Sequence, residues 1–194
     1  MSSLPRGGAV VERRQVAGRA DAVKNREHLL RVAHDAFAED GATSLNVIAK
    51  RAGVGAGTLY RHFPTREDLI LAVYRNDVER LVGEVGQVLA EHAPLEAFRV
   101  WFDRLATYVR LKHGLGEALN TAAAQKVINE TYAPVTAAVA ELLAACERDG
   151  SVRPGLEPGD VLLLMGFLWR VGPGEAGLAQ ARRIMDLAIT GFRP

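Results

Sequence analysis

Apolar residues recur every three or four positions through most of the chain, and no stretch alternates with period two for long. The spacing predicts an all-α protein. Leu29, Ala33, Ala36 and Phe37 mark the inner face of a helix over residues 21–40, which Gly41 ends as a C-terminal glycine does. Two very short helices follow. Ser44 is a good N-cap for the first, whose inner face is Leu45, Ile48 and Ala49; Gly53 stops it and Val54 plugs the turn. The second starts near Gly55, places Leu59 and Phe63 one turn apart, and is closed by Pro64. Thr65-Arg66-Glu67-Asp68 reads as a capping box that opens a long helix over 66–92, weakened in its middle by Gly83 and Gly86.

Five more helical segments are expected. The first spans 94–113, with Phe98, Trp101, Phe102, Leu105, Tyr108 and Val109 on one face, and a shorter piece covers 115–126. Another spans 128–149 with Tyr132, Val135, Val139, Leu142 and Cys146 inward, and after a loop over 150–159 two more cover 160–171 and 175–192. Residues 1–20 mix Pro, Gly, Ser and Arg without apolar periodicity and read as a flexible basic arm. The chain then divides into a small helical module over 21–66 and a larger helical domain over 67–194.

Charge sharpens this division. Residues 1–66 carry 11 Lys/Arg against 6 Asp/Glu, whereas residues 67–194 carry 13 against 17, so a basic third precedes an acidic remainder although the whole chain is only +1. A basic module of two short helices joined by a glycine-containing turn is a helix-turn-helix, in which the first helix braces the second and the second lies in the DNA major groove. With Leu59 at the origin and about 100° per residue, Arg61 falls near 200°, opposite the core, and Gly57 and Thr58 also point outward. An outward Arg grips guanine, Thr touches a thymine methyl, and the flanking Tyr60 and His62 are placed to hold phosphates.

The segment Thr43 to Phe63, TSLNVIAKRAGVGAGTLYRHF, resembles the DNA-binding motif of the TetR-type transcriptional repressors. The shared marks are Ile48-Ala49, Ala52-Gly53-Val54, Gly57-Thr58-Leu59-Tyr60 and His62-Phe63, with Ala33-x-x-x-Phe37-x-x-x-Gly41 before them and Arg66-Glu67-x-Leu69 after. The resemblance covers about residues 21–75. It implies a helical homodimer whose second domain binds a small molecule that weakens the grip on an operator. Carried over by position, the DNA contacts are Ser44, Asn46, Gly55, Ala56, Gly57, Thr58, Tyr60, Arg61, His62 and Arg66. Asn46 becomes a base reader suited to adenine, and Arg66 meets a phosphate. Gly55 and Ala56 depart from the family, which often has Ser and a long polar residue there. That shifts base readout towards Asn46, Thr58 and Arg61. Arg6, Arg13, Arg14 and Arg19 of the arm suit an adjacent minor groove; the plainer alternative is a solvated tail.

The resemblance places the dimer contact in the last two helices. Val161 to Met165, Phe167 and Leu168 are apolar nearly all round, and Ile184, Leu187, Ala188 and Phe192 are set to pair with them. An effector pocket is expected among Phe98, Trp101, Phe102, Leu105, Tyr108, Tyr132, Met165 and Trp169, where Tyr and Trp offer polar tips in an apolar wall. Arg170 suits an anion, a buried carboxylate or solvent at the dimer edge.

Enzyme chemistry finds no footing. Gly53-x-Gly55-x-Gly57 follows a helix and lacks phosphate-loop spacing. The five His form no metal pattern, and Cys146, the single cysteine, reads as a small core residue. No cofactor and no metal are expected. No stretch of about 20 apolar residues or secretory signal is found, so a soluble cytoplasmic protein without a membrane partner is expected. The reading is a ligand-responsive regulator that binds a palindromic operator as a homodimer and is released by a small-molecule effector. The alternatives are an activator, a regulator without a ligand, and a helical small-molecule- or partner-binding protein without specific DNA binding.

Overall fold

The computed structural model describes residues 8–114, 121–172 and 174–194, and within them the side chains other than those of 8–23, 107–114 and Trp169. Every regular element among these residues is helical: α1 Gly8–Glu39, α2 Leu45–Arg51, α3 Ala56–His62, α4 Arg66–Gly83, α5 Val85–Glu91, α6 Pro94–Gly114, α7 Ala122–Arg148, α8 Pro158–Leu164, a 3-10 turn Met165–Trp169, and α9 Gly174–Phe192. Among the described residues, no helix is long and apolar enough to cross a membrane.

Local chemistry sets several boundaries where the sequence places them. The Ser44 hydroxyl accepts from the Val47 amide at the start of α2. Thr65 and Asp68 close a reciprocal capping box at the start of α4. The expected long helix over 66–92 breaks at Gly83–Glu84 into α4 and α5. Three boundaries differ. α1 begins at Gly8, so residues 8–20, expected within a flexible arm, form its first turns. No proline interrupts them after Pro5, and their Ala, Glu, Arg and Gln are good helix formers. Residues 1–7 lie outside the described residues. The two pieces expected over 115–126 and 128–149 are one helix from Ala122, because Thr121 caps it and no breaker stands near Val127; residues 115–120 are outside the description. The helix expected over 160–171 starts two residues early, with Pro158 at its first position, and tightens to 3-10 geometry at Met165.

Two hydrophobic cores form. One joins Leu30, Ala33, Phe37, Ile48, Leu59, Phe63 and Leu69 to Val73. The other joins Val78 and Leu81 to α5–α9 through Phe98, Trp101, Phe102, Leu142, Met165 and Ile189. The packing therefore divides within α4, between Val73 and Val78, and Tyr74 packs against both cores. Ala124 and Val127 of α7 belong to the first core, although most of α7 builds the second.

Candidate nucleic-acid interface

The helix-turn-helix is held from inside by Leu45, Ile48, Ala49, Leu59 and Phe63, all buried, with Val54 half-buried in the turn. The Val54 amide donates to the Ala49 carbonyl at 3.0 Å, and Gly53 turns the chain at φ 68°. A left-handed residue there is nearly free for glycine and costs any other residue roughly 1–2 kcal/mol. α3 then starts on Gly55, which provides no side-chain cap.

This frame turns Gly55, Ala56, Gly57, Thr58, Tyr60, Arg61 and His62 to solvent on α3, and Ser44 and Asn46 on the start of α2. Nine of the ten expected contact residues are thus exposed on one small module. Arg61 lies along its own helix, its Nε donating to the Gly57 carbonyl and its Nη2 to Thr58 Oγ1, both at 3.2 Å. The two expected base readers of α3 are therefore in contact.

Arg66, the tenth, is half-buried. Its guanidinium lies over the Phe37 ring, 5.1 Å from the centroid, and donates to the Gly41 carbonyl. It braces the α1–α2 turn against the start of α4, a role the sequence does not reveal because its partners lie 25 or more positions away. Arg51 pairs with Glu39 at 2.6 Å, while Lys50 adds an exposed positive charge. Val47 is an exposed apolar side chain beside Asn46 that the sequence reading passed over. At about 200° from Leu45 on the helical wheel, its outward position was available from spacing.

The expected effector residues divide. Phe98, Trp101, Phe102, Leu105 and Met165 come together in the second core. Phe98 and Phe102 have ring centroids 4.6 Å apart, and Trp101 meets Phe102 edge-on at 5.1 Å. The Trp101 indole N–H donates to the Leu81 carbonyl at 2.8 Å, so its polar tip serves the end of α4. Tyr132, expected inward, is instead 52% exposed. It sits on the stretch of α7 that crosses between the two cores, after Val127 and before Val135. The side chains of Tyr108 and Trp169 lie outside the described residues. Arg170 is exposed.

On the expected dimer face, Leu163, Leu164 and Leu187 are 78%, 51% and 73% exposed. Leu162, Phe167, Ile184 and Ala188 are partly buried beside the second core, and Phe192 and Val161 are inside it. Cys146 is fully buried, and burial pushes its thiol above the ordinary range, which makes it a poor nucleophile. No group of His, Cys, Asp and Glu among the described residues is arranged to hold a metal ion.

Comparison with known proteins agrees with this geometry. Residues 29–73 match the family described as "Bacterial regulatory proteins, tetR family", and residues 93–194 match "Transcriptional regulator SbtR-like, C-terminal domain". A TetR transcriptional regulator from Streptomyces coelicolor is 36% identical, covering 87% of this chain and 98% of its own, with a TM-score of 0.75. A TetR transcription regulatory protein from Mycobacterium vanbaalenii is 34% identical, with coverage of 91% and 99% and a TM-score of 0.71. Among curated relatives, an HTH-type transcriptional regulator from Staphylococcus aureus is 37% identical over 93 residues, 46% of this chain. The chain spans about half (50%) of the length of that relative.

Proposed function

The chain belongs to the TetR family of bacterial regulators, and from that membership we propose that it is a repressor that grips a palindromic operator as a homodimer and lets go when a small molecule binds. The observation that carries the reading is the outer face of α3, where Thr58, Tyr60, Arg61 and His62 stand exposed while Leu59 and Phe63 pin the helix from behind. Thr58 and Arg61 read base edges in the major groove, with Asn46 reading an adenine. Tyr60, His62 and Ser44 hold phosphates, and the small residues Gly55, Ala56 and Gly57 let α3 approach closely. Arg66 has five N–H donors, enough to brace Gly41 and still meet a phosphate.

Two α3 helices are needed for two half-sites about one helical turn apart. The exposed leucines of α8 and α9 support a dimer, because Leu163, Leu164 and Leu187 are large apolar side chains left mostly in solvent on the two helices expected to pair. The effector site belongs beside α6 and the 3-10 turn, where Phe98, Trp101 and Phe102 gather with Met165. A ligand that favours a state whose α3 helices no longer match the half-site spacing releases the DNA.

Selection of bound duplexes from a random pool at about physiological salt tests this reading. An enriched inverted repeat supports it. Binding with a steep salt slope and no preferred sequence opposes it, and would indicate a helical binding protein that has lost specific DNA recognition.

A further inference from the structure

α7 lies beyond the helix-turn-helix by some 60 positions, yet its first two turns complete the core of that module. Ala124 is 0% exposed and Val127 2%, both in the cluster that holds Leu30, Ile48, Leu59 and Leu69. Three polar contacts tie the same stretch of α7 to one side of α4. The Thr121 hydroxyl donates to the Glu67 carboxylate. The Tyr74 and Thr131 hydroxyls are 3.4 Å apart, and Arg75 donates to Glu130 at 3.0 Å. The Thr121 hydroxyl has a second task, since it accepts from the Ala124 amide at 3.2 Å as the N-cap of α7.

Glu67 stands next to Arg66, which holds Phe37 and Gly41. The first turn of α4 is therefore clamped on both sides, to the α1–α2 turn by Arg66 and to the start of α7 by Glu67. Only Phe63, Pro64 and Thr65 separate this turn from α3. Whatever fixes the first turn of α4 also fixes the recognition helix.

We propose that Thr121 is a positioning residue for DNA binding: its hydrogen bond to Glu67 locks the first turn of α4, and with it α3, to the C-terminal half, so that a shift at the start of α7 is felt at the DNA. This deepens the operator-binding reading and rests on it for the DNA arm of its test. It also sets a direction for regulation. An effector need not move all of α4; displacement of the α7 cap is enough to free α3.

The test uses the full chain. Thr121→Asp retains a good N-cap for α7 but replaces the donor with a second carboxylate facing Glu67. Adding Glu67→Gln restores a donor to that contact, and Thr121→Ser keeps both bonds. Two readouts are taken: amide hydrogen exchange of the free protein, and affinity for the selected duplex over a salt series. In Thr121→Asp, peptides covering residues 45–63 exchange faster while those of α9 do not change. Affinity falls about five- to tenfold, the lower part of the usual coupling range. The salt slope stays the same, because no phosphate contact is lost. Glu67→Gln brings both readouts back to within about twofold, and Thr121→Ser behaves as wild type.

The proposal is overturned by unchanged exchange over 45–63, by faster exchange spread equally through α9, by a loss that Glu67→Gln does not recover, or by a shallower salt slope. If the wild-type protein selects no duplex, the DNA-binding reading fails by itself, and the exchange readout still decides whether Thr121 and α3 are coupled.

Discussion

His34 Nδ1 and Asp77 Oδ2 lie 2.8 Å apart across the junction of α1 and α4, and Asp77 is otherwise buried. A buried carboxylate needs a partner, and removing that partner is strongly destabilising. The hydrogen bond to Asp77 holds the His34 imidazolium above its ordinary pKa of 6.5 against the opposing effect of burial, with Asp35 adding to the rise and Arg80 subtracting from it.

The pair makes the stability of the module depend on pH. The folded pKa of His34 is raised, so its contribution is fully present below pH 6.5 and is lost as pH rises through the raised value. Thermal midpoints measured from about pH 6 to 9 should fall more steeply in the wild type than in His34→Gln. Parallel slopes for the two proteins would remove His34 from the account.

Arg61→Ala and Arg66→Ala should separate reading from bracing. Arg61 is exposed, and its truncation should change stability by no more than about 0.5 kcal/mol while costing about 1–3 kcal/mol of discrimination between operator and scrambled duplex. Arg66→Ala should lower the thermal midpoint and weaken binding to every sequence alike, because it releases Gly41 and Phe37. Gel shifts on the two duplexes, with unfolding curves alongside, check both; equal losses of discrimination would contradict the assignment.

Two glycines should respond in opposite ways. A Cβ at Gly177 would overlap the Gly172 carbonyl, so Gly177→Ala should force α9 away from the preceding turn and cost about 1–3 kcal/mol or more. A Cβ at Gly57 meets nothing within 4 Å, and Gly57→Ala should stabilise α3 by about 0.5–1 kcal/mol. The same change should weaken operator binding if DNA approaches the bare backbone there. Denaturant unfolding and DNA titration of both variants decide the matter.

Leu163→Glu and Leu187→Arg, made separately, should each shift the protein towards monomer without a large loss of helix content. Both positions are mostly exposed and carry little of the monomer's core. Sedimentation at micromolar concentration should move from about 42 kDa, twice the 21.0 kDa chain, to the single-chain value. A wild-type protein that sediments as one chain would contradict the dimer.

The helix-turn-helix was legible in the sequence because its signals are local. Ser44 caps α2 through the amide of Val47, three positions away, Thr65 and Asp68 close a box within one turn, and Leu59 and Phe63 share a face by spacing alone. What escaped depends on contacts between distant positions. The bracing role of Arg66 is one such contact, because nothing nearby in sequence shows that Phe37 and Gly41 lie against it. Glu67 and Thr121 are 54 positions apart, and their bond exists only once α4 and α7 are packed. Tyr132 has the spacing of an inward residue, yet the helix passes from one core to the other at that point. Residues 8–20 lack apolar periodicity, so their helix was missed where propensity alone supports it.

The central claim is that α3 reads base sequence as one half of a symmetric pair. It is tested most directly by selecting duplexes from one random pool with the wild type and with Arg61→Ala side by side. The wild type should enrich an inverted repeat with half-sites about one helical turn or a multiple apart. The Arg61→Ala pool should keep that symmetry while losing preference at the same position of each half-site. An enriched site without inverted symmetry, or identical pools from the two proteins, would contradict it.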